Sequence, residues 1–221
     1  MYLYVLIGLI LGVPVVWRYR DRIGLGIIGA VGLSVLYSAC SVAAALAFAL
    51  IEGFLSGSTG ANGGAVSTYG IYFIGSCMML LVCRFFHLPS SGVMDLYAVF
   101  AMPSLFMMRL NCLASGCCIG LPMWDTGYHW PTRESELIFY ALMFILMWRM
   151  MSKEKYAGQL FPLLMVCYGS FRFVNQWFRD TGSEGLHMAH GWSILCALIG
   201  LGLLLTLRKE NSDSEKRKGK K

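Results

Sequence analysis

Two arginines stand in apolar surroundings, and they limit the chemistry this chain can do. Arg109 closes the apolar run from Val99 to Met108 and opens RLNCLASGCCIG, which reaches Gly120 with three thiols among small residues. Arg172 lies in YGSFRFVNQWFRD, from Tyr168 to Asp180. A charge at the centre of an apolar span costs about 2.5–3.5 kcal/mol on insertion scales, so each guanidinium needs an offsetting partner. On a helix Tyr168, Arg172, Asn175, Gln176 and Arg179 recur at spacings of three and four and share one polar face. Such a face belongs in a bundle interior or a wet cavity. The bland alternative is that helix-end carbonyls or Asp180 neutralise Arg172, with no ligand involved. Two guanidiniums in a lipid-side cavity suit a phosphate or phosphodiester, whose oxygens can take paired hydrogen bonds. Phospholipid head groups are the abundant anions of that kind, and a carboxylate fits almost as well on physics alone.

Tyr69, in VSTYGI, opens an apolar run behind the glycine-rich loop Ser56–Gly64. It reads equally as an interfacial aromatic anchor or as a proton donor, acceptor or ligand contact beside glycines that permit close approach. Cys112, Cys117 and Cys118 form the one cluster among eight cysteines. Their spacing matches no common zinc pattern. Packing of small residues is the leading reading, with a disulfide from Cys112, a catalytic thiol and metal ligation as the alternatives. No metal or cofactor is expected. Cys40, Cys77, Cys83, Cys167 and Cys196 sit singly in apolar runs, as small buried hydrophobes do.

The elements that must hold these groups are membrane helices. Of 221 residues 57% are hydrophobic and 14% charged, with a mean hydropathy of +0.62. A soluble domain of this size cannot cover so much apolar surface. Expected spans are 2–17, 24–51, 67–83, 93–111, 137–151, 159–178 and 190–207. The first is read as a retained helix, because it lacks a basic start and Trp17-Arg18 is no small-residue cleavage site. Of the 18 Lys and Arg, all but Arg109, Arg133, Arg172 and Arg179 fall on one side of this arrangement. The positive-inside rule then puts the N-terminus outside and the C-terminus in the cytoplasm. The expectation is an all-α integral membrane protein of seven transmembrane helices. Residues 1–208 form one catalytic domain and residues 209–221 a basic cytoplasmic tail. That tail supplies much of the net charge of +6. It reads as a solvated segment with weak attraction to anionic lipid, and no nucleic-acid partner is expected.

Arg109 to Pro122, Tyr168 to Asp180 and Gly185 to Trp192 together resemble the bacterial prolipoprotein diacylglyceryl transferase family. The similarity runs from about Gly63 to the end of the last span, in order and with compatible spacing. It implies transfer of a diacylglyceryl group from phosphatidylglycerol, or another anionic phospholipid, to the lipobox cysteine in a prolipoprotein signal peptide. It also implies a multi-pass protein of the bacterial inner membrane, with its active site toward the outer leaflet. Arg109 matches the arginine of the family's signature stretch and Gly116 a glycine within it. Arg172 matches the arginine of the sixth span, Arg179 and Asp180 the pair after it, and Gly64 and Gly70 the glycines of a His-Gly-Gly element. The resemblance therefore assigns catalysis to Tyr69, Arg109 and Arg172, and substrate binding to Gly64, Gly70, Gly116, Gln176, Arg179 and Asp180.

Several positions depart from the family pattern. Tyr69 replaces the histidine proposed to help deprotonate the acceptor thiol. Cys112 and Cys117 stand for asparagine and glutamate, and Gln176 for a glutamate. The run from Arg133 to Glu136 only loosely resembles a His-Pro-x-Gln segment. Two alternatives follow: a cysteine-based membrane transferase using Cys117 or Cys118, and a lipid-binding protein without catalysis.

Overall fold

The computed structural model describes residues 2–55, 67–123, 127–153, 156–180 and 187–218. Gly64 with the glycine-rich loop, and Glu184, lie outside the described residues. Among those described the architecture is helical, a form in which the backbone satisfies its own hydrogen bonds. The helices are α1 (Tyr2–Tyr19), α2 (Ile27–Leu55), α3 (Thr68–Phe85), α4 (Ser90–Ala114), α5 (Thr132–Met151), α6 (Leu160–Gln176) and α7 (Met188–Lys218). Each expected span falls on one of them, and α7 continues past Leu207 to Lys218. α2, α3, α4 and the Met188–Lys209 part of α7 are long and apolar enough to cross a membrane. α5 carries Arg133, Glu134, Glu136 and Arg149 among its 20 residues, and α6 is 17 residues long.

The bundle is apolar outside as well as within. Ile28 and Leu50 are 89% and 76% exposed, while Tyr97, Tyr140 and Tyr168 are fully buried. Cys77, expected to be buried, is exposed on α3; Cys40, Cys83 and Cys196 are buried. An apolar side chain gains nothing by leaving a lipid face, so a lone cysteine in an apolar run carries no burial signal.

Alignment of the helices begins at the end remote from the arginines. Asp95, buried near the start of α4, accepts hydrogen bonds from the backbone N–H groups of Gly158 (2.5 Å) and Leu160 (2.9 Å). These are orphan donors at the start of α6, where a carboxylate is favoured. α4 and α6 both begin there and run the same way. Arg109 lies 14 residues beyond Asp95 and Arg172 lies 12 beyond Leu160, rises of about 21 and 18 Å. The pinned starts therefore bring the two arginines to a common level.

α3 contains a π-helical turn at Ile71–Gly75. There the Tyr97 hydroxyl approaches the Ile71 carbonyl (3.4 Å), and it accepts from Ser41 Oγ (3.1 Å). Gly75 leaves room for that hydroxyl, since a Cβ would overlap it. α6 and α7 pack through Gly169, where a Cβ would fall 2.6 Å from the Ser193 carbonyl oxygen.

The connection from α4 to α5 folds back on itself and onto the segment after α6. Leu121 N–H donates to the Phe178 carbonyl (2.8 Å), Asp180 N–H to that of Ile119 (3.2 Å) and Trp130 N–H to that of Leu121 (2.9 Å). Gly120 is required at the crossing, because a Cβ would overlap the Trp130 carbonyl. Replacing Asp95 with Ala leaves the Gly158 and Leu160 donors without their acceptor, at a cost of about 1–3 kcal/mol. Thermal denaturation in detergent checks this: Asp95→Ala should melt below the parent, and Asp95→Asn, which keeps one acceptor oxygen, should lose less.

Candidate functional site

Glu136, in the second turn of α5, is 2% exposed and lies between the two arginines. Its Oε2 pairs with Arg109 Nε from α4, and its Oε1 with Arg172 Nη1 from α6. Asn175, one turn beyond Arg172, donates to the same Oε1 (3.0 Å) and to the Thr132 carbonyl (3.3 Å), and accepts from Ser135 Oγ (3.0 Å). Three helices thus meet on one carboxylate. Both guanidiniums are buried, yet the triad retains one net positive charge. Each arginine has five N–H donors in a planar fork and commits one nitrogen to Glu136.

Glu136 replaces both Asp180 and the helix-end carbonyls as the counter-charge of Arg172. Its signal was present in the sequence: Thr132, Glu136, Tyr140, Met143, Met147 and Met151 form the buried stripe of α5 at helical spacing. An acid on such a stripe needs a cation. On α2, Glu52 is held by Ser67 and lies within electrostatic reach of Arg172.

Around this triad the structure gathers some of the anticipated residues and separates others. Arg179 lies beyond the end of α6, and its Nη2 is 2.8 Å from Cys118 Sγ. The backbone ladder between 119–121 and 178–180 makes that contact. Cys112, Cys117 and Cys118 have all their sulfurs within 4.8 Å of one another, so they could together hold a metal ion. Gly116 (φ +69°) supplies the left-handed turn that folds the connection back. Gly70 serves packing, since a Cβ there would overlap the Ala44 carbonyl on α2. Asp180 is exposed, with its backbone N–H in the ladder.

Tyr69 is buried against the rings of Phe48, Phe73 and Tyr168. Its hydroxyl donates to the Ala189 carbonyl (3.0 Å) and meets Ser193 Oγ (2.6 Å), both on α7. Gln176 is buried, and its Oε1 has no hydrogen-bond partner among the described residues. His190 was not singled out from the sequence. It is buried beside Trp177 and Phe173, and its Nδ1 accepts the His187 N–H (3.1 Å). A neutral imidazole with Nδ1 so engaged carries its proton on Nε2, which makes that atom a donor and not a base. Nε2 has no partner among the described residues. Between α5 and α6 a cleft of about 210 Å³ is walled by Trp130, Phe171, Val174 and Phe178, with Ser135 and Asn175 on its polar side.

The Cys118 thiol is held well below its ordinary value. The hydrogen bond from Cys112 is the main cause, and the Arg179 and Arg109 charges reinforce it against the opposing effect of burial. Burial lowers Arg179 from its ordinary value, as do the Arg172 and Arg109 charges. A lowered thiol pKa keeps the thiolate populated at pH values where an ordinary thiol is protonated. In reduced, chelator-treated protein, iodoacetamide labelling of Cys118 should therefore persist into mildly acidic pH. Arg179→Ala should move the midpoint upward, as read by mass spectrometry of the labelled peptide.

Residues 6–206 match the prolipoprotein diacylglyceryl transferase family. Relatives bearing the name phosphatidylglycerol–prolipoprotein diacylglyceryl transferase occur in several bacteria. One from Nitratidesulfovibrio vulgaris is 30% identical over 160 residues, covering 65% of this chain and 60% of the relative. One from Methylobacillus flagellatus is 26% identical over 159 residues, covering 64% and 61%. One from Solidesulfovibrio magneticus is 27% identical over 128 residues, covering 52% and 48%. The chain spans about three fifths of the length of the first two of these relatives. With the family match extending over nearly the whole helical bundle, the chain belongs to the prolipoprotein diacylglyceryl transferase family.

Proposed function

We propose that this protein transfers a diacylglyceryl group from phosphatidylglycerol to the lipobox cysteine of a prolipoprotein. The observation that carries this reading is the buried triad, in which two arginines from different helices share one carboxylate and keep a net positive charge. A phosphodiester supplies the missing anion and fits the guanidinium fork. In the transfer, the acceptor sulfur attacks the glyceryl carbon and the carbon–oxygen bond to phosphate breaks. Glycerol phosphate leaves with the electron pair, and the acceptor proton is lost to solvent. Negative charge grows on the leaving phosphate, where Arg109 and Arg172 are already oriented by Glu136.

The neighbouring groups have parts consistent with that step. Arg179 orients the head group, with Asp180 and Gly116 shaping the connection that carries it. The Gln176 amide oxygen offers an acceptor to a glycerol hydroxyl, and His190 Nε2–H a donor. Tyr69 positions the first two turns of α7 through Ala189 and Ser193. The cleft, apolar on its aromatic wall, has on its polar side Asn175, which also bonds Glu136 of the triad.

The helices span the bacterial inner membrane, with the N-terminus outside and residues 209–221 in the cytoplasm. Support comes from the basic residues: Arg18, Arg84, Arg149 and Arg208 lie at the opposite helix ends from the triad. On this reading the site faces the outer leaflet, where exported prolipoproteins arrive.

Purified protein given labelled phosphatidylglycerol and a lipobox peptide should yield a thioether-linked diacylglyceryl peptide. No product beside an active control enzyme rejects the transfer, and phosphatidylglycerol held without turnover identifies a lipid-binding protein instead. Arg172→Lys keeps the charge but loses the fork, and Arg109→Lys does the same. Each should lower kcat/KM by about 10²–10³, the effect of removing one oriented transition-state donor.

A further inference from the structure

The three thiols take no part in the transfer as written, yet strained backbone holds them together. Cys118 has φ +60°, a left-handed conformation that a side chain other than glycine rarely adopts. Such strain persists where the surroundings enforce it and marks functional sites. Here Thr132 Oγ1 donates to the Cys118 carbonyl (3.4 Å) and Arg133 Nη1 to that of Cys117 (3.4 Å). Ser115 Oγ donates to Cys117 Sγ (3.5 Å), whose thiol faces the Cys112 carbonyl (3.7 Å). All three cysteines are free, Cys117 is exposed, and the others are half-buried.

We propose that Cys112, Cys117 and Cys118 form a three-thiolate site for a soft divalent cation of the zinc class, with an open fourth position that takes the acceptor thiol. Thiolates select such cations. A tetrahedral site with a metal–sulfur distance of about 2.3 Å places its sulfurs about 3.8 Å apart, so the cluster needs to close by at most about 1 Å. Three thiolates and one dication leave a single negative charge, which Arg179 balances from 2.8 Å. Three protein ligands with one exposed side resemble a catalytic zinc site, whereas a structural site is closed by four.

The fourth-position assignment rests on the transferase reading above, and it meets a need of that reaction. The phenol of Tyr69 is tied to Ala189 and Ser193, and His190 presents a donor, so neither is a base for the acceptor. Coordination itself deprotonates a thiol. The acceptor's S–H proton passes to water, and its bound sulfur gives an electron pair to the glyceryl carbon. The carbon–oxygen bond breaks with its pair on the departing glycerol phosphate. The thioether formed is neutral and binds the cation more weakly, which frees the product. The cation keeps its charge, so neither oxidant nor reductant enters.

The probe is Co²⁺ added to the full chain, stripped with chelator and kept reduced in detergent. A thiolate-to-cobalt charge-transfer band should saturate with a single Co²⁺ per chain and reverse on adding Zn²⁺. Cys112→Ser and Cys118→Ser should each weaken binding at least about tenfold, and Cys77→Ser should not. Alkylating the wild-type thiols beforehand, which requires no variant to fold, should abolish the band. A lipobox peptide should perturb the cobalt spectrum only when it carries its cysteine. No band in the reduced wild type, or a band surviving in the triple serine variant, overturns the site. An unperturbed spectrum with the cysteine peptide, or full transfer activity after chelation, overturns the fourth-position assignment. Cobalt bound normally by a protein that makes no thioether supports the site and rejects the transferase reading alone.

Discussion

One carboxylate makes the interior of this bundle tolerable. Arg109 and Arg172 enter it from α4 and α6, and burying either charge there without a counter-ion is costly. Glu136 from α5 pairs with both. Removing one partner of a buried ion pair costs about 3–5 kcal/mol, because the survivor is left uncompensated. Here a single removal strands two cations. The same shortage of negative charge that makes the triad vulnerable makes it receptive to an anionic head group.

Much of the remaining structure places these three groups. Asp95 fixes the starts of α4 and α6 at the far end, about three to four helical turns from the arginines. Close contact at Gly169 seats α7 against α6, and Tyr69 ties the first two turns of α7 to α3. The connection after α4 is bound to the segment after α6 by backbone hydrogen bonds, so Arg179 and Cys118 meet through the main chain. The thiols therefore sit on the same rigid frame as the arginines: Cys112 is in the last turn of α4, and Cys117 and Cys118 follow its end.

The helices were legible from hydropathy, and the arginines from the cost of burying them. The polar face of α6 was legible from spacing, and Tyr168, Arg172, Asn175 and Gln176 are all buried on it. Glu136 escaped notice because Arg133, Glu134 and Ser135 precede it, and a polar helix start resembles a loop. The thiol cluster could not be read from linear spacing, since a left-handed Cys118 and a folded connection bring the sulfurs together. Cys77 shows the reverse limit: it is exposed on α3 together with the apolar Leu80 and Leu81, so hydropathy alone placed it wrongly. The part of His190 depends on which nitrogen its own backbone neighbour occupies, a detail that no residue pattern encodes.

The central claim is that a buried, net-positive pair of arginines binds an anionic phospholipid. Native mass spectrometry of the purified protein, released from micelles with equal amounts of phosphatidylglycerol and phosphatidylethanolamine, tests it directly. Phosphatidylglycerol should be retained preferentially, and that preference should vanish in Arg172→Gln and in Arg109→Gln. Equal retention of the zwitterionic lipid by the wild type, or a preference that survives both substitutions, would contradict it.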